Sequence, residues 1–118
     1  MLKRILFSLL AFLFFFLPMS GASNRFTLVI DAGHGGHDSG ARGAISSEKD
    51  LTLKFSLAFG RMVEQRCPDV KVVYTRTTDV FVPLHKRADI ANKNKADLFI
   101  SVHINAVMPG HLARGFQS

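Results

Sequence analysis

The spacing of apolar positions changes repeatedly along this chain, and each change marks an element. "RFTLVID", residues 25–31, is rich in β-branched and aromatic residues and predicts a buried strand. A glycine-rich stretch from Gly33 to Gly43 follows as a long loop. In "SSEKDLTLKFSLAFGRMVEQR", the residues Leu51, Phe55, Ala58, Phe59, Met62 and Val63 share one helical face. They predict a helix from about Glu48 to Arg66 with that face inward, started by Ser47 and Asp50 as a capping box and stopped by Pro68. "VKVVYTR" reads as a second strand. "PLHKRADIANKNK" reads as a second helix, with Pro83 in its first turn and Leu84, Ala88, Ile90 and Ala91 inward. "DLFISVHIN" is almost continuously apolar, as central parallel strands are. "FQS" reads as the start of a further strand.

Strand, helix, strand, helix, strand implies right-handed crossovers. The expected fold is therefore α/β, a parallel-rich mixed sheet flanked by helices. In such sheets functional groups gather beyond the carboxyl ends of the strands. Both "GHGG" and "VHIN" fall at such ends, so His34 and His103 are expected to be neighbours in space.

The first residues do not belong to that fold. Lys3 and Arg4 precede an apolar run, Ile5–Leu17, which ends in "PMSGAS". That is the pattern of a secretory signal peptide, and Ser20 and Ala22 place cleavage after Ala22. The run is shorter than the about 20 residues a spanning helix needs, which argues against a retained membrane anchor. Residues 1–22 are thus read as a signal peptide and 23–118 as the working domain, exported to the periplasm or the extracellular space. The net charge of +6 includes Lys3 and Arg4, so the mature excess is modest. It suits an anionic polymer such as a cell wall and lacks the dense basic stripe of a nucleic-acid binder. One cysteine, Cys67, excludes an internal disulfide and reads as a small apolar residue.

"DAGHGGHDSG", residues 31–40, carries the candidate chemistry. A phosphate cradle fails on details: position 38 is Asp where a third glycine is required, and no G-K-[ST] follows. A metal site draws on three residues together, His34, Glu48 and His103. Two histidines and a glutamate form a known catalytic zinc set that leaves a coordination position for water. Spacing alone leaves that reading beside a plain glycine-rich turn, because no compact H-E-x-x-H motif is present. Asp31, at the strand end, is expected to orient His34 by a hydrogen bond. Arg76 and Arg87 are expected to pair with Asp79 or Asp89. His37, His85 and His111 read as surface residues.

"LVIDAGHGGHDSGARG", "SSEKDLTL" and "VVYTRTTDVFVPLHKRADIANKNKADLFISVHINA" together closely resemble the catalytic domain of bacterial N-acetylmuramoyl-L-alanine amidases, the zinc-dependent cell-wall type often called Amidase_3. The resemblance runs from about Phe26 to Gln117. It implies Zn2+ held by His34, Glu48 and His103. It also implies hydrolysis of the amide between N-acetylmuramic acid and the L-alanine of the stem peptide, with peptidoglycan as partner and no nucleic acid or membrane after signal cleavage.

The family's general base is a second glutamate on a later strand. No Asp or Glu follows His103 in this sequence, so no catalytic residue of that kind is assigned within the chain and the glutamate is expected beyond Ser118. The chain is accordingly expected to be the N-terminal part of such a domain, truncated at its C-terminus. The alternatives are a non-catalytic cell-wall-binding zinc module and another exported zinc hydrolase such as a peptidase.

Overall fold

The structure, a computed structural model, describes residues 25–105. The stretch read as a signal peptide, His111 and the expected "FQS" strand start lie outside the described residues. Among the described residues no helix is long and apolar enough to cross a membrane.

Five elements follow in the expected order: β1 (Phe26–Ala32), α1 (Glu48–Arg66), β2 (Val70–Tyr74), α2 (Leu84–Lys93) and β3 (Leu98–Val102). The three strands form one sheet in the order β2-β1-β3. Both pairings are parallel, with Ile30 opposite Tyr74 on one side and Ile100 on the other. The chain therefore steps from β1 to β2, then crosses back past β1 to reach β3. Crossovers of one hand that run in opposite directions leave their helices on opposite faces. Contacts agree: Gly60 of α1 lies against Tyr74, on the Ile30 face, whereas Arg87 of α2 reaches Asp31 on the other face.

The core is β1. Leu28, Val29, Ile30 and Ala32 are buried, and Val29 and Ile30 have no exposed surface. Burying side chains of this kind contributes about 1.5–3 kcal/mol each. β3, expected as a central strand, is an edge strand among the described residues, with Leu98 and Phe99 exposed.

Helix α1 has the expected bounds but not the expected inner face. Its buried residues are Glu48, Thr52, Ser56 and Gly60, while Leu51, Phe55, Ala58 and Met62 are exposed. Small residues at every fourth position allow the helix axis to approach the sheet closely. A Cβ at Gly60 would collide with the Tyr74 hydroxyl, so glycine is what admits that ring. Ser47 does stand at the N-cap, but its hydroxyl bonds to the Asp50 carboxylate and not to a backbone amide. Helix α2 differs in the same sense. Its buried residue is Arg87, and Leu84 and Ala88 are exposed.

Candidate metal centre

The site grows out of the carboxyl end of β1. The amide of Gly33 donates to the Val102 carbonyl at 3.0 Å and carries the β1–β3 ladder one residue further. Gly33 needs its missing side chain: a Cβ there would lie 2.5 Å from the His103 imidazole. His34 then turns with φ of 61°, a left-handed conformation that costs a residue with a side chain on the order of 1–3 kcal/mol.

Two buried guanidinium groups hold that turn. Arg87 donates to Asp31 Oδ1 and the Ala32 carbonyl, both at 2.7 Å, and to the His34 carbonyl at 2.9 Å. Arg76 donates to the carbonyls of Ala32, Gly33 and Lys49, each at 2.9 Å. Neither arginine takes the expected acidic partner. Asp79 instead pairs with Lys49 at 2.6 Å, and Asp89 with Lys86 at 3.9 Å. The Asp31 carboxylate is filled by Arg87, Thr75 and Ser101. Burial alone would raise its pKa, but those hydrogen bonds and the Arg87 charge outweigh it and hold the carboxyl below the usual range. Asp31 is therefore a keystone of the turn, and the orienting role expected of it falls elsewhere. Asp38 Oδ2 lies 2.9 Å from His34 Nδ1.

Glu48 opens α1 and is 5% exposed. Its Oε2 accepts the Ala41 amide at 2.9 Å and its Oε1 the Ile104 amide at 2.8 Å. Burial pushes its pKa up. The two amides, the His34 charge and the bond with His103 more than offset this, so the pKa lies below the ordinary value. The helix N-terminus favours the same charge.

The structure brings His34, Glu48 and His103 together, with one ligand atom of each within 4.8 Å of the others. Glu48 Oε1 lies 3.2 Å from His34 Nε2 and 3.3 Å from His103 Nδ1. Ligands of a tetrahedral zinc at about 2.0–2.1 Å stand about 3.3 Å apart, so both separations fit such an ion. The donor set fits too. A carboxylate oxygen and an imidazole nitrogen from each histidine face one point, and these are donor types that a zinc ion takes. Gly40, with φ of 62°, leaves room beside the set, since a Cβ there would lie 2.6 Å from the His34 ring.

A cavity of about 750 Å³ opens beside the two histidines on the α2 face, walled by Phe81, Leu84, Arg87 and Phe99. His37 lies outside the triad and packs on Phe81, ring centroids 4.1 Å apart. Sequence reasoning missed Asp38, Gly33 and Gly40 as neighbours of the set. The left-handed turn that brings them together has no signal beyond the density of glycines.

Fold and site define a parallel α/β domain with a two-histidine, one-glutamate set where neighbouring strands end. The chain belongs to the N-acetylmuramoyl-L-alanine amidase family Amidase_3, whose model matches residues 28–118. It is 47% identical over 89 residues to an endolysin of Bacillus phage SPP1, covering 75% of this chain and 31% of that protein. It is 39% identical over 93 residues to the N-acetylmuramoyl-L-alanine amidase AmiC of Escherichia coli O6:H1, covering 75% and 22%. The crystal structure of an N-acetylmuramoyl-L-alanine amidase from Clostridium difficile 630 matches with a TM-score of 0.70 at 37% identity, covering 78% of this chain and 50% of that one. The chain thus spans less than a third of these curated relatives and half of that solved chain.

Proposed function

We propose that the protein is an exported zinc hydrolase that cleaves the amide between N-acetylmuramic acid and the L-alanine of the peptidoglycan stem peptide. The observation that carries this is the convergence of His34 Nε2 and His103 Nδ1 on one oxygen of Glu48. Family membership supplies the substrate class. The relatives named above carry amidase or endolysin names, which does not favour a non-catalytic wall-binding module.

His34, Glu48 and His103 would hold the metal. Imidazole and carboxylate donors without a thiolate suit zinc in a catalytic setting. A zinc ion bound there supplies a Lewis acid for the scissile carbonyl and brings the pKa of a water toward about 7. The remaining work falls to the chain. The Ala41 and Ile104 amides keep Glu48 ionised and aimed. Arg76 and Arg87 fix the carbonyls on which the His34 turn rests. Of the three carboxylates beside the site, Asp31 is filled by Arg87, Asp38 is bonded to His34, and Glu48 faces both histidines. The general base of hydrolysis is therefore proposed to come from outside residues 25–105, consistent with the glutamate expected beyond Ser118. Export rests on the N-terminal pattern of charge and apolar residues.

Digestion of purified peptidoglycan by the full-length protein tests the reading. New L-alanine amino groups are expected, lost with a chelator and restored by zinc. New reducing sugar ends in their place, or activity indifferent to chelation, would overturn it. His34→Ala and His103→Ala are each expected to abolish stoichiometric zinc binding. Unchanged zinc content in both would sink the ligand assignment.

A further inference from the structure

The loop that carries His34 contains a second carboxylate, and the strand-end aspartate does not reach the ring. Asp38 does. Its Oδ2 lies 2.9 Å from His34 Nδ1. On the other side of the same ring, Nε2 lies 3.2 Å from Glu48 Oε1. The imidazole is thus gripped at one nitrogen and open to the ligand set at the other.

Asp38 is itself held in place. Its amide and carbonyl exchange bonds of 3.1 and 2.8 Å with Gly35, which closes the loop into a one-residue bridge. Its second carboxylate oxygen accepts the Gly40 amide at 3.1 Å. Both carboxylate oxygens are therefore used within the loop, and neither bonds to another element. The backbone end of His34 is fixed independently, by the bond from Arg87 to its carbonyl. Histidines that bind metals commonly present the far nitrogen to a carboxylate, which sets tautomer and ring orientation.

We infer that Asp38 is the positioning residue for His34. It accepts a hydrogen bond from Nδ1–H, leaves Nε2 as the ligand atom, and thereby sets metal affinity without touching the metal. The inference rests on the proposed zinc reading of the site. It gives the loop's second aspartate a role that side-chain exposure alone would not suggest, since Asp38 is 43% exposed.

The test measures the zinc dissociation constant of the full-length protein by competition with a chromophoric chelator, with melting of the zinc-free protein followed in parallel. Asp38→Ala is expected to weaken zinc binding about 10–100-fold, the range typical of such outer partners. Asp38→Asn keeps an oxygen that can accept the hydrogen bond from Nδ1–H, so it should restore affinity to within about threefold of wild type. Zinc-free melting should move little in either variant. An Ala variant that binds zinc like wild type, or an Asn variant as weak as Ala, would overturn the inference. Should the Ala variant not fold, imidazole 15N shifts of the zinc-free wild-type protein decide the matter. A proton on His34 Nδ1 supports the assignment, and a proton on Nε2 refutes it. His34→Ala separates the two layers: if it retains zinc at wild-type affinity, the zinc reading at His34 fails, whatever Asp38 does.

Discussion

The end of β1 and the length of β3 are neighbours in one sheet and are built in opposite ways. β1 is buried from Thr27 to Ala32, and the turn beyond it is tied down by Arg76, Arg87, Asp31 and Thr52. β3 shows Leu98 and Phe99 to solvent, and Leu51, Phe55 and Met62 of α1 are likewise uncovered among the described residues. Apolar surface is abundant in the second region and plays little part in the turn beyond β1. Among the described residues only Leu28, Val29, Ile30 and Ala32 form the buried apolar core, whereas Asp31, Glu48, Thr52, Ser56, Thr75, Arg76 and Arg87 are all buried with polar groups. The turn that carries His34 is thus held by directional bonds to backbone carbonyls rather than by packing. Packing tolerates small shifts, whereas a fork of hydrogen bonds fixes carbonyl positions, which a residue at φ of 61° requires.

The comparison breaks first at Arg87. Arg87→Ala leaves the buried Asp31 carboxylate without its counter-charge and removes the side-chain bond to the His34 carbonyl, while Arg76 still serves the Ala32 carbonyl. We expect a loss of about 3–5 kcal/mol in denaturant unfolding of the full-length protein. Replacing both charges, as in Asp31→Asn with Arg87→Met, should cost less than the sum of the single changes. A loss under about 1 kcal/mol, the range of exposed ion pairs, would mean that the fork does not hold the turn.

A smaller effect is expected where α1 approaches the sheet. Gly60→Ala gains helix propensity of about 1 kcal/mol but drives a methyl group into the Tyr74 hydroxyl, an overpacking cost of about 1–3 kcal/mol. The net should be destabilising, and Tyr74→Phe should relieve part of it, because ring carbons Cζ and Cε1 would still lie 2.5 and 2.6 Å from the added methyl. A double-mutant cycle by thermal melting reads this directly. If Gly60→Ala is as harmful in the Tyr74→Phe background as in wild type, the hydroxyl is not the obstacle.

These two sites also mark where the sequence is and is not legible. The strands, the bounds of α1 and the α/β order follow from apolar periodicity, because long apolar runs and Pro68 leave few alternatives. The strand-end positions of His34 and His103 already point to a shared site with Glu48, and the resemblance is what singles the three out as a ligand set. The inner face of α1 escapes periodicity because periodicity follows large apolar residues, and close approach is made by small ones. Thr52, Ser56 and Gly60 at every fourth position are the available signal. The partners of Arg76, Arg87 and Asp31 are out of reach, since they lie tens of residues apart and are chosen by how two crossovers meet. Asp31 stands where an orienting carboxylate is expected and Asp38 supplies it, because proximity to the strand end says nothing about which way a left-handed turn directs its ring.

The smallest expected effect concerns acid. Burial raises the Asp31 pKa, but the bonds from Thr75, Ser101 and Arg87 bring it below the ordinary value of 3.8. In the unfolded chain the same carboxyl titrates near that ordinary value. Between the two values the unfolded state binds more protons, so Asp31 contributes stability that is fully present above about pH 4 and lost as pH falls through the folded value. Glu48 and Asp38 have lowered pKa values as well, so the whole protein should weaken on acidification whatever Asp31 does. The difference between wild type and Asp31→Asn isolates one group. In urea titrations from pH 6 down to pH 3, the variant should begin less stable and lose less, so the two curves converge. Parallel curves would mean that the Asp31 carboxylate is no better held in the folded turn than in the open chain, and the contrast between the two regions would lose its electrostatic half.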